Sequence, residues 1–183
     1  MKQAAFLVVL LAITSLSFAT RGENKCTLIS SNDTSFSTLP AMQDIMLQIK
    51  NIAGVNDDFE IKEANVLNIE ATIRHKKKLI LYNPVFISSL NAATKDKWSV
   101  IALIAHEIGH HIIGHTGRRG GSKPGSELEA DEFAGAVLYQ LGATLEQSQN
   151  VMHFIAKTEA SKTHPGREAR LQAIEKGWRK AMK

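Results

Sequence analysis

The stretch Trp98-Ser99-Val100-Ile101-Ala102-Leu103-Ile104-Ala105-His106-Glu107-Ile108-Gly109-His110-His111-Ile112-Ile113 decides how this chain is read. In a helical projection its apolar residues fall on nearly every side, and a helix of that kind belongs inside a core. We therefore expect a buried helix over 96–114. Within it, His106-Glu107-Ile108-Gly109-His110 is an HExxH motif. Histidines four apart stand one turn above each other, so both can grip one ion from a single face. The glutamate beside the first histidine reaches a water instead of the ion. The bland alternative is histidines satisfied by ordinary hydrogen bonds. It is disfavoured because three histidines and a glutamate in a buried helix are costly without a shared task.

Two histidines need a third protein ligand, since a catalytic zinc keeps its fourth position open. The metzincin pattern wants a glycine three residues after the second histidine and a histidine three further on. Ile113 and Thr116 stand there, which excludes that class. A following helix, expected over 126–141, offers Ser126-Glu127-Leu128-Glu129-Ala130-Asp131-Glu132. Ser126 and Glu129 match a capping box, which assigns Glu129 to backbone work. Glu127 and Asp131 then share a face: Glu127 is the expected ligand, and Asp131 is expected to orient a ligand histidine. Glu132 reads as a solvated charge near the helix start.

Outward from this centre, 183 residues are one domain rather than two. At 44% apolar and 22% charged, the composition excludes disorder as a whole-chain reading. A single cysteine excludes a disulfide framework and any Cys-rich metal site. A net charge of +4 with only 6% aromatics gives no nucleic-acid surface. Residues 1–19 carry one lysine, an unbroken apolar run from Ala4 to Ile13, and the small residues Ser17 and Ala19, the pattern of a signal peptide. The run is shorter than the roughly 20 residues of a spanning helix. The protein is thus expected to be exported, to the periplasm or beyond, with no integral membrane segment after cleavage. That leaves room for peripheral association, although no helix carries a strong Lys/Arg face. Residues 20–37 read as a flexible leader holding Cys26 and the glycosylation-like Asn32-Asp33-Thr34, and 38–183 as the folded domain.

In that domain Pro40 opens a helix with Met42, Ile45, Met46, Ile49 and Ile52 at helical spacing, stopped by Gly54. Short β runs follow at 59–63, 66–74 and 79–82, with Arg74–Lys78 at a hairpin tip. Further helices are expected over 84–92, 145–159 and 165–181. The fold class is α+β, mostly helical, with a small β-meander.

Ala105–His111 (AHEIGHH) with Glu127–Asp131 (ELEAD) resembles the prenyl-protease/HtpX-like family of gluzincin metallopeptidases. Thr163–Leu171 (THPGREARL) is similar to that family's C-terminal THPxxxxR[IL] stretch, so the likeness runs from about Leu39 to Trp178. It implies a zincin-like metallopeptidase domain with one zinc on His106, His110 and Glu127, and with Glu107 as base and Asp131 as the motif's aspartate. Without further membrane helices the chain resembles the soluble exported branch. Where the family often has an Asn-Ala edge strand and a Pro-Gly-Gly turn, this sequence has Asn68-Ile69 and then Arg74–Lys78. The resemblance also implies that His164 can act as a reversible fourth ligand.

The expected function is therefore zinc-dependent hydrolysis of peptide bonds, with unfolded or damaged exported and membrane proteins as substrates. Val66–Arg74 is the candidate edge for an extended peptide. His164 is the candidate oxyanion donor; as a plain residue it reads as an N-cap ahead of Pro165. Arg170 is a candidate partner of a carboxylate near the site. His111 reads as core or as a residue behind the metal ligands, and His115 as a favourable charge near a helix C-terminus. The rival class is a non-catalytic zinc-containing protein-binding module. It is disfavoured because structural zinc sites are closed by four ligands and need no glutamate beside the first histidine.

Overall fold

Nine elements follow one another in the computed structural model, which describes residues 38–116 and 123–183. The expected signal peptide, leader, Cys26 and Asn32 lie outside the described residues. The helix α1 (Leu39–Ala53) is capped by the Thr38 hydroxyl and closed by Gly54, and buries Met42, Ile45 and Ile49. Strands β1 (Phe59–Glu63), β2 (Ile69–Arg74) and β3 (Lys77–Tyr82) come next, and then α2 (Pro84–Thr94), which Asn83 caps. The helices α3 (Trp98–Ile112), α4 (Pro124–Gln140), α5 (Leu145–Ile155) and α6 (Arg167–Ala181) complete the fold. The class is α+β.

The sheet is not a meander. Its order is β1-β3-β2, with β1 parallel and β2 antiparallel to β3. The physical reason lies in β3, whose Leu79-Ile80-Leu81-Tyr82 run is buried at every position. A strand apolar on both faces takes the middle of a sheet, which forces β1 to cross over instead of pairing with its successor. β2 is left at the edge of the sheet. The β2–β3 turn puts His75 and Lys76 at positive φ (50° and 64°), so the basic stretch is a hairpin tip as expected.

The all-round apolar helix α3 lies in the core, with Trp98 through Gly109 and His111 all buried. It packs between the sheet on one side and α4 and α5 on the other. Helices α4 and α6 approach unusually closely because Gly135 and Gly177 face the partner backbone. A Cβ on Gly135 would lie 2.1 Å from the Ile174 carbonyl oxygen, and one on Gly177 1.8 Å from that of Glu132. This contact carries Arg170 of α6 onto Asp131 of α4.

Candidate metal centre

Residues four apart on α3 present His106 and His110 toward the N-terminal turn of α4. There Pro124 takes the first helical turn, where its missing N–H and fixed φ are no burden. The helix thus begins two residues before Ser126, and Lys123 occupies the cap position without a side-chain bond. The expected capping box of Ser126 and Glu129 does not form, and Glu129 is released for another partner. Glu127 is buried and faces both histidines.

The three side chains close a triangle. His106 Nε2 and His110 Nε2 are 3.1 Å apart, and Glu127 Oε2 and Oε1 lie 3.5 and 3.4 Å from them respectively. Zinc bonds nitrogen and oxygen donors at about 2.0–2.2 Å, so two donors of a tetrahedral site stand about 3.3–3.6 Å apart. The triangle is close to that edge length. Two imidazoles and a carboxylate also suit zinc in chemistry, whereas calcium and magnesium want oxygen ligands throughout. Among the described residues this is the one group of three or more such side chains able to hold an ion. The donor set fits the metal that the sequence implies.

Behind His106 stands a buried ionic pair. Asp131 Oδ1 is 2.8 Å from His106 Nδ1, and Arg170 donates to both Asp131 oxygens through Nε and Nη2 at 2.7 Å each. The same guanidinium reaches to 3.9 Å from Glu127 Oε2. Asp131 thus bridges His106 and Arg170, and the carboxylate that Arg170 meets is a buried one. Burial opposes a charge on His106, yet the Asp131 carboxylate overrides it and the imidazole is pushed up to about 10. Burial would also raise Asp131, but the His106 and Arg170 cations hold it below its usual range.

Glu107 is 8% exposed and lines the same cavity as the histidines. Its Oε2 accepts the Ala71 backbone N–H of β2 at 2.6 Å. Burial pushes its carboxyl up, against the opposing pull of the two histidines. The cavity is about 580 Å³ and open to solvent, with Asn68, Ile69 and Ala71 of the β2 segment along it and Leu103, Phe86 and Ile155 supplying apolar surface.

The remaining histidines divide. His111 is buried as expected; its Nε2 meets the Leu79 carbonyl at 3.0 Å and its ring stacks on Phe59 at 5.3 Å, tying α3 to the sheet. Burial holds its imidazole below the usual value. His164 lines the cavity, with Nδ1 2.8 Å from Thr163 Oγ1. It is not the N-cap of α6, which is Gly166. Arg167 determines that start: its side chain grips the Ala156 carbonyl through Nε and Nη2, and its N–H takes Lys157 O. That staple closes the connection from α5 and delays the helix past Pro165.

His115 is more than a charge near a helix end. It lies past α3, with its ring against His110 and its Nε2 2.8 Å from Glu129 Oε2. The sequence reading missed this pair, as it missed the Ala71 N–H. A signal for His115 was present: Gly114, at φ 78°, follows the last turn of α3 as helix-terminating glycines do.

Fold and site together define an α+β chain with a largely buried His-His-Glu cluster where two helices meet. Compared with family models, curated proteins and solved structures, the chain matches none.

Proposed function

We propose that this chain is a zinc-dependent endopeptidase that hydrolyses peptide bonds of unfolded or damaged exported or membrane proteins. The observation that carries this reading is the His106–His110–Glu127 triangle, with the Glu107 carboxylate beside it in an open cavity. A site with three protein donors and open space fits catalysis better than a structural role, which takes four. Zinc held there would supply Lewis-acid polarisation of a water and of the scissile carbonyl.

The chain's own part is proton transfer and placement. Glu107 takes the proton of the attacking water and passes it to the leaving amine. A base works best with its pKa near the operating pH, and burial moves Glu107 in that direction. The Ala71 N–H fixes which way the carboxylate points. An extended peptide would add to the edge strand β2, beside that N–H. His164 is the oxyanion donor in this reading, since it shares the cavity and a positioned donor is worth roughly a hundredfold or more.

The test is digestion of an unfolded protein by the purified chain, with and without chelator, beside a Glu107→Gln variant. Hydrolysis should vanish with chelator and return with zinc. Glu107→Gln should keep its zinc and lose about a hundredfold or more in rate. A zinc-loaded chain that binds unfolded protein without cutting it would instead establish the non-catalytic binding module.

A further inference from the structure

We propose that His115 and Glu129 are positioning residues that hold His110 in the one tautomer able to bind a metal. The inference rests on the zinc reading above and adds two residues to it.

The helix end makes the contact. After α3 the His115 N–H bonds the His110 carbonyl at 2.9 Å, and the Ile113 N–H bonds that of Gly109 at 2.9 Å. Gly114 between them takes the positive φ that this reversal requires. The first of these bonds is the long bond of a Schellman motif, which sets the second residue past the cap against the helix's last turn. Here that geometry lays one imidazole on another, with ring centroids 5.2 Å apart and Nδ1 to Nδ1 3.1 Å. The His115 side chain is only 6% exposed, although it lies outside the helix.

The chemistry then runs in one direction. An ionised Glu129 can only accept, so His115 Nε2 must donate to it at 2.8 Å. A neutral imidazole with its proton on Nε2 has a bare Nδ1, which accepts from His110. His110 therefore carries its own proton on Nδ1 and turns an unprotonated Nε2 toward His106 and Glu127. Asp131 stands at Nδ1 of His106 directly, at 2.8 Å, so the proton that leaves His106 when a metal binds is the one on Nε2. The two ligands are thus held alike by different means: one by a carboxylate at Nδ1, the other by a carboxylate acting through a second imidazole. Partners of this kind sharpen both ligand orientation and basicity.

The experiment measures zinc affinity by chelator competition, with the cobalt absorption spectrum as a report on ligand geometry. His115→Leu should weaken zinc binding by about 10- to 100-fold, the range for loss of such a partner. His115→Asn places an amide oxygen where Nδ1 stood and should recover most of that loss, which a merely space-filling role does not allow. Glu129→Ala, at an exposed carboxylate, should give a smaller loss with the same change in cobalt spectrum. If His115→Leu does not fold, Glu129→Ala carries the test alone. Parent-like affinity in Glu129→Ala, or in a folded His115→Leu, overturns the relay, as does His115→Asn behaving like His115→Leu. A parent chain that binds no zinc refutes the zinc reading itself, and is told apart because it fails before any substitution is made.

Discussion

Replacing Arg170 by Leu tests whether the ionic pair behind His106 is structural surface or buried machinery. Arg170 is 7% exposed and Asp131 is fully buried, and two hydrogen bonds of 2.7 Å join them. Exposed ion pairs contribute about 0–1 kcal/mol. Removing one partner of a buried pair costs about 3–5 kcal/mol, because the other charge stays behind unpaired. Leucine fills part of the space but leaves the Asp131 carboxylate with His106 as its one remaining partner in this group. We expect a loss of about 3–5 kcal/mol in urea unfolding of the metal-free chain at pH 7, or roughly 6–20 °C in Tm for a chain of this size. The pH dependence has a definite sign. The folded Asp131 sits below its ordinary value of 3.8, so its contribution is present above that value and is lost as pH falls through the folded pKa. The gap between parent and variant should therefore be full near neutrality and shrink in acid. Arg170→Lys, which keeps a charge but not the two-pronged geometry, should fall between. A loss within about 1 kcal/mol for Arg170→Leu at pH 7 would refute the argument, since that is the range of a solvated pair.

Glu127→Gln removes the charged member of the donor triangle, and zinc stoichiometry after dialysis should fall well below that of the parent; full retention would point to Glu129 or Asp131 as ligand. Zinc uptake at pH 7 should release protons, because His106 is held up to about 10 and must lose its proton before Nε2 can bind; titration calorimetry in buffers of different ionisation enthalpy reads this as buffer-dependent heat. Gly177→Ala should destabilise by several kcal/mol in chemical denaturation, since its Cβ would enter the Glu132 backbone at 1.8 Å. Lys76→Gly should stabilise by about 1 kcal/mol, because glycine meets no penalty at φ 64° in the hairpin turn.

What could be read from sequence follows from how local each cause is. The burial of α3 and the facing of His106 and His110 depend only on helical periodicity, and both were legible. Glu127 and Asp131 were legible for the same reason, even with the start of α4 placed two residues late, because a shift of the cap does not alter their four-residue spacing. The order β1-β3-β2 was not legible: it is set by which strand is buried on both faces, a property of packing. Arg170 was readable as a carboxylate's partner, but that partner is fixed by the Gly135–Gly177 approach of two helices. His115 was lost for a different reason. Its neighbours were assigned singly, Glu129 to a cap and His115 to a helix end, when the Gly114 turn joins them.

The charges of the cluster offset one another where three helices meet. Isolated, each of His106, Glu107, Glu127, Asp131 and Arg170 would be costly to bury. Asp131, held below its usual range, faces the Arg170 and His106 cations, both of which are held up. Burial raises the Glu107 carboxyl, against the pull of the two histidines. A divalent cation held by His106, His110 and Glu127 would stand beside Glu107 and favour its ionised form. The acid that must give up its proton to serve as a base is therefore the one whose ionised form the cation favours. In the proposed reading, binding the metal and arming Glu107 are one electrostatic event, and Arg170 is the fixed positive charge beside Asp131 and Glu127.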